Sequence, residues 1–146
     1  MIKNERQYRI SRAQAEKFRQ ALAQIAEPAG RQDIHPVLRR AQESALRSQY
    51  EDLKTEVEEY EALRSGKLSE LELGSFEEFP RVLIQARIAL GLSQKELAER
   101  LGMKEQQIQR YEANDYANAT LKRVQRIVQA LGIRVQEKVR LPHPAR

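Results

Sequence analysis

One short segment, residues 104–113, carries long polar side chains whose donors and acceptors match those on the edges of nucleic-acid bases. Gln106 offers the amide pair that binds adenine in two hydrogen bonds, and Lys104 or Arg110 can donate to guanine. Glu105 can accept from cytosine, or pair with Arg110 instead. A helix with such residues on its surface usually only faces solvent. Whether it has a functional role depends on the elements that position it.

The surrounding sequence, residues 79–133, predicts short helices separated by glycine and small polar residues. Ser93 is followed three positions later by Glu96, a capping box that satisfies two free backbone donors at the start of a helix. Gly91 ends the helix before this box, and Gly102 ends the helix after it. The polar helix 104–113 therefore follows a short helix and a tight turn.

A family resemblance lies in residues 92–112, which read LSQKELAERLGMKEQQIQRYE. This string is similar to the helix-turn-helix of the Xre family, which includes the Cro and lambda-type phage repressors. The features that carry the resemblance are Gln94, Ala98, Gly102, Ile108 and the pair Tyr111-Glu112. Residues 121–133 resemble the family's fourth helix. The resemblance implies a lambda-repressor-like DNA-binding domain of four to five helices over residues 79–134.

The family's mode of binding implies that the helix 104–113 enters the major groove of double-stranded DNA, with Lys104, Glu105, Gln106 and Arg110 facing the bases. Gln94 is implied to contact phosphate from the start of the preceding helix, where the helix dipole also favours an anion. The further candidates for phosphate contacts are Lys95, Gln109, Asn118, Thr120 and Lys122.

The loop after this helix departs from the family pattern. The family usually has a glycine there, whereas residues 114–118 of this chain read Asn-Asp-Tyr-Ala-Asn. Tyr116 is expected in an exposed loop, and the sequence does not decide between packing and contact with DNA for this residue. Tyr111 is expected to pack in the domain.

The first half of the chain predicts a helical hairpin, residues 1–66. Apolar spacing indicates a first helix over residues 11–25 with Ser11 as its N-cap, and prolines break the pattern over 27–36. A long amphipathic helix follows and ends at Ser65-Gly66. Its apolar seam has the heptad spacing 4, 3, 4, 3 and consists of Leu46, Tyr50, Leu53, Val57 and Tyr60. We expect this seam to pair with the first helix and to contribute to a dimer or partner interface.

Residues 67–78 are the predicted linker and residues 135–146 a C-terminal tail. Apolar residues alternate over 133–141, which predicts either a short strand or a frayed basic tail. Leu, Ala, Glu, Gln and Arg dominate while glycine and proline are sparse, so the predicted fold class is all-α.

Composition excludes several classes of function. The chain has no cysteine, and its two histidines, His35 and His143, lie beside prolines without a second ligand, so no metal or other cofactor is expected. No phosphate-binding loop or nucleophile motif occurs, which predicts a protein that is not an enzyme. No run approaches the ~20 apolar residues of a membrane helix, and we expect a cytoplasmic location.

Three functions fit these observations. The first is a dimeric repressor that binds a palindromic operator, because a single module touches too few base pairs for tight specific binding. The second is an antitoxin, in which residues 10–63 or the tail mask a toxin protein while the Xre-like domain represses its own operon. The third is an adaptor that resembles the multiprotein-bridging coactivators and works through protein contacts.

Overall fold

The structure, a computed structural model, describes residues 1–27 and 34–143. Within these ranges the chain is helical and contains no strand, as the all-α prediction required. The helices are α1 (Glu5–Ala26), α2 (Pro36–Arg64), α3 (Phe79–Ala89), α4 (Gln94–Leu101), α5 (Glu105–Ala113) and α6 (Leu121–Leu131). A 3-10 turn, Phe76–Glu78, precedes α3 within the segment expected to be a linker.

Helix α1 begins earlier than the sequence predicted, at Glu5 rather than after Ser11. Its N-cap is Asn4, whose side-chain oxygen accepts a hydrogen bond from the backbone N–H of Gln7 at 2.9 Å. The added turns are held by Tyr8, which is buried and stacks on Tyr60 of α2 with ring centroids 5.1 Å apart. Apolar spacing missed these turns because their burial depends on a partner 52 residues away in sequence.

Helices α1 and α2 form the predicted helical hairpin, and α2 ends at Arg64, directly before the predicted Ser65-Gly66 stop. The loop prediction for residues 28–33 lies outside the described residues. Every seam position of α2 is at least half-buried within the single chain: Leu46, Tyr50, Leu53, Val57 and Tyr60. The seam thus serves the hairpin itself, and its contribution to a dimer stays a prediction.

Helices α3 to α6 surround a compact apolar core. The largest side chains that are almost fully inaccessible are Leu83 and Ile84 of α3, Leu97 of α4, Ile108 of α5 and Ile127 of α6. Burying each one stabilises the fold by about 1.5–3 kcal/mol relative to leaving it exposed. Each of the four helices contributes at least one of these residues, so the positions of α4 and α5 are fixed by the same core.

The hairpin packs on this four-helix unit. Ile2 and Leu63 join the same buried cluster as the residues of α3 to α6. The backbone carbonyl of Lys3 accepts a hydrogen bond from Arg87 of α3, and the Lys3 ammonium pairs with Asp115 at 2.8 Å. The start of α1 is therefore tied to the helices that carry the polar segment.

The loop after α5 replaces the missing glycine with two residues in the left-handed region, Asp115 at φ 52° and Tyr116 at φ 57°. The expectation of an exposed Tyr116 is wrong, because only 4% of this residue is accessible and its ring stacks on Tyr111 with centroids 5.9 Å apart. Burial, together with the Glu112 carboxylate, raises the pKa of Tyr116 well above its ordinary value. Packing against Tyr111 compensates for a backbone conformation that costs non-glycine residues about 1–2 kcal/mol each.

The C-terminal segment does not form the strand that the alternation of residues 133–141 allowed. Residues 133–143 are irregular, and Val139 and Leu141 are each more than four-fifths exposed. Within the described residues they form no ladder of backbone hydrogen bonds with a neighbouring segment, which a strand requires. None of the described helices has the length and apolar character needed to cross a membrane.

Candidate nucleic-acid interface

Helix α4 begins at the predicted capping box. The Ser93 hydroxyl accepts from the backbone N–H of Glu96 at 3.1 Å, and the Glu96 carboxylate accepts from the backbone N–H of Ser93 at 2.7 Å. The hydrogen bonds from Ser93 hold the pKa of Glu96 below its usual range. Gly102 ends the helix in the left-handed conformation at φ 63°, where a side chain would be strained. Helix α4 is thus defined at both of its ends, and the turn to α5 begins at Gly102.

Replacing Ser93 with alanine removes this cap and is expected to lower the free energy of unfolding by about 1 kcal/mol. Urea denaturation followed by circular dichroism measures the change. Ser44→Ala is the matched control, because Ser44 is exposed inside α2 and alanine is the better helix former there, so stability should rise by a few tenths of a kcal/mol. Equal effects at both positions would contradict the capping role.

The crossing of α4 and α5 determines which side of α5 faces outward. Ala98 of α4 and Ile108 of α5 are both at most 1% exposed, and the small alanine side chain permits the two helices to approach closely. The start of α5 is closed by Gln107, whose side-chain oxygen accepts from the backbone N–H of Lys104 at 3.0 Å. With Ile108 fixed inside, the opposite face of α5 is presented to solvent.

The outward face contains Gln106 and Arg110, each about 160° around the helix from Ile108, and all four residues predicted to read bases are accessible. They are exposed: Lys104, Glu105, Gln106 and Arg110. Glu105 accepts a hydrogen bond from the side chain of Gln109 at 3.1 Å rather than pairing with Arg110, so the Arg110 guanidinium has no carboxylate partner among the described residues. The structure therefore leaves all four side chains accessible to solvent, and their role in reading bases stays a prediction.

Five of the six phosphate-contact candidates are also exposed: Lys95, Gln109, Asn118, Thr120 and Lys122. Thr120 has a structural function as well, because its hydroxyl caps α6 by accepting from the backbone N–H of Arg123 at 3.2 Å. Lys95 and Lys122 place cations on α4 and α6, on either side of α5 in sequence. Phosphate binding at these positions is untested.

Gln94 is placed differently from the other candidates. It is 6% exposed, and its amide nitrogen donates to the Glu112 carboxylate at 2.7 Å. Its amide oxygen accepts from Asn4 at 3.4 Å. The side chain implied to contact phosphate is therefore hydrogen-bonded inside the protein. Its contact with DNA stays a prediction, and the five exposed candidates are more accessible to phosphate.

A buried ion pair, which the sequence analysis missed, joins α3 to α5. Arg87 donates to both carboxylate oxygens of Glu112, Nε to Oε1 at 2.6 Å and Nη2 to Oε2 at 2.8 Å. Both side chains are at most 3% exposed. The third guanidinium nitrogen of Arg87, Nη1, donates to the carbonyl of Leu92 at 2.7 Å. This bidentate pair fixes the end of α5 relative to α3.

A sequence signal for this pair existed. Arg87 lies four residues after the buried Leu83, and Glu112 lies four residues after the buried Ile108, so each occupies the inward face of its helix. Opposite charges at inward positions of two helices predict a buried pair, because an isolated buried charge is strongly unfavourable. Spacing alone could not show that the two side chains meet.

Comparison with known proteins agrees with this geometry. Residues 83–138 match a family model described as Helix-turn-helix, a range that includes most of α3 and all of α4, α5 and α6. No curated protein and no solved structure is similar enough to the chain to count as a match. With α4, its glycine turn and the exposed face of α5 arranged as described, residues 83–138 form a DNA-binding helix-turn-helix domain of the Xre type.

Proposed function

We propose that this chain is a sequence-specific regulator of transcription, a repressor that reads the major groove with α5. The observation that carries the proposal is that Lys104, Glu105, Gln106 and Arg110 are all exposed, at the start of a helix that Ile108 and Glu112 anchor in the domain. Base readout needs side chains held in a fixed register, and this helix is held at its start by a cap and near its end by the buried ion pair.

The distribution of charge supports DNA as the partner. The chain has a formal net charge of +5, and its excess lies in residues 76–146, which have 13 basic and 8 acidic side chains. Residues 41–75, most of them in α2, have 4 basic and 9 acidic side chains. A duplex is therefore attracted to the helix-turn-helix domain and repelled by most of α2, which favours one orientation of binding.

We further propose that the protein binds a palindromic operator as a homodimer. One helix-turn-helix unit contacts too few base pairs for tight specific binding, and two units related by a two-fold axis double the contact. Leu46, Tyr50 and Leu53 remain only half-buried although α1 already covers the seam. A second hairpin covering the rest of this face would supply the dimer contact.

Titration of the purified protein against a duplex from its own upstream region, at 50 and 200 mM salt, tests the proposal. Neutralising phosphates releases counterions, so a protein with 6–10 phosphate contacts loses about 10³–10⁵ in affinity between these two conditions. A random duplex of equal length serves as the control for specificity. Failure to bind any duplex at the lower salt concentration would refute the proposal and favour an adaptor that works through protein contacts.

A further inference from the structure

The start of α1 and one side of the helix-turn-helix form the two walls of an open groove of about 960 Å³. Arg6 and Ile10 lie on the α1 wall, and both are exposed. Glu105 and Gln109 of α5 line the opposite wall, and the groove reaches Ser93 at the start of α4. A segment outside the helix-turn-helix domain is thus placed directly beside the surface proposed to face DNA.

The dimensions of the major groove indicate what would occupy this space. The groove is about 12 Å wide, and a helix with its side chains has a diameter of about 10–12 Å. When such a helix enters the groove, the two sugar-phosphate strands must pass along its two sides. The open groove follows one side of α5, so one of the strands would lie between α5 and α1.

The charges lining the groove leave one cation available. Four basic side chains line it, and three already have a carboxylate partner, in the pairs Lys3–Asp115, Arg64–Glu5 and Arg87–Glu112. The fourth, Arg6, has no ion pair within residues 1–27 and 34–143. The carboxylate that is not in an ion pair, Glu105, lies on the α5 wall, so the α1 wall is the side suited to an anion.

We propose that Arg6 contacts the sugar-phosphate backbone of the bound duplex, so that α1 extends the DNA interface beyond residues 83–138. The guanidinium matches phosphate oxygens with two parallel hydrogen bonds. This inference rests on the proposed function. It assigns the hairpin a role in binding DNA in addition to its packing against the helix-turn-helix domain.

The test compares the salt dependence of binding for the full-length wild-type protein and Arg6→Gln, using one duplex that the wild type binds. Loss of one phosphate contact is expected to reduce the slope of log affinity against log salt by about 0.9 per chain, so the defect grows about 3.5-fold from 200 to 50 mM salt. Arg6→Lys should retain most of the slope. Arg40→Gln, an exposed substitution near the start of α2, should behave as wild type.

Thermal unfolding verifies that each variant is folded, and Arg6→Gln should melt with the wild type because Arg6 is exposed. If the wild type binds and Arg6→Gln retains its slope, the role of Arg6 is overturned while the proposed function stands. If the wild type ignores duplex DNA, the proposed function itself fails. Should Arg6→Gln be unstable, Arg6→Ala is measured in its place: a slope reduced by about 0.9 supports the inference, and an unchanged slope overturns it.

Discussion

Glu112→Ala is expected to lower the free energy of unfolding by about 3–5 kcal/mol, the largest stability effect of any single substitution considered for this chain. The Glu112 carboxylate is inaccessible and accepts hydrogen bonds from Arg87 and Gln94. Removing it leaves the Arg87 guanidinium buried without a counter-charge, and the cost of that desolvated charge exceeds what the pair contributes. Urea denaturation monitored by circular dichroism gives the difference directly.

Glu99→Ala is the matched control, because Glu99 is an exposed carboxylate on α4, and its loss should change stability by less than about 0.5 kcal/mol. Removing both charges in Arg87→Met with Glu112→Leu should cost less than Glu112→Ala alone, since no uncompensated ion remains. A loss below about 1 kcal/mol for Glu112→Ala would show that the pair is not closed to water in solution.

The helices of the second half follow from local signals in the sequence. The capping box at Ser93 and the turn glycine Gly102 define α4, and the apolar spacing around Ile108 orients α5. Each of these features acts within about one helical turn, so it can be identified from residue types and their spacing alone. The same holds for the end of α2 at Ser65-Gly66.

The features that the sequence analysis missed depend on contacts between distant residues. Arg87 and Glu112 are 25 positions apart, and Tyr8 meets Tyr60 only because the hairpin closes. Tyr116 was expected to be exposed because it stands in a polar loop, yet two left-handed residues turn it back onto Tyr111. In each case tertiary packing determines whether the residue is buried. The local pattern shows only whether its residue type is suited to a surface.

The same difference between local signals and contacts of distant residues applies to the proposed DNA interface. The exposed residues of α5 were found because a base-reading surface must consist of long polar side chains at helical spacing. The burial of Gln94 had no local signal in the sequence, because its neighbour in space, Glu112, belongs to a different helix. The groove beside α1 had no sequence signal at all, since its walls come from segments about 90 residues apart.

Substitution of the α5 face is expected to have the largest effect on function. Gln106→Ala and Arg110→Ala should each reduce the preference for the operator over a scrambled duplex by about 1–3 kcal/mol, or roughly 5-fold to 150-fold. Binding to the scrambled duplex should change little for Gln106→Ala, because affinity for non-specific DNA depends on phosphate contacts. Both residues are exposed, so the unfolding free energy should stay within about 0.5 kcal/mol of wild type.

An operator is first selected with the wild-type protein from a pool of random duplexes, and competition binding then gives the ratio of affinities for each variant. Gln42→Ala and Arg40→Ala, exposed positions near the start of α2, are the controls of matched chemistry and should keep the wild-type ratio. If both α5 variants also keep it, α5 does not read bases. If only one loses preference, repeating the selection with that variant should relax the sequence at a single position of each half-site, because one side chain contacts one base pair.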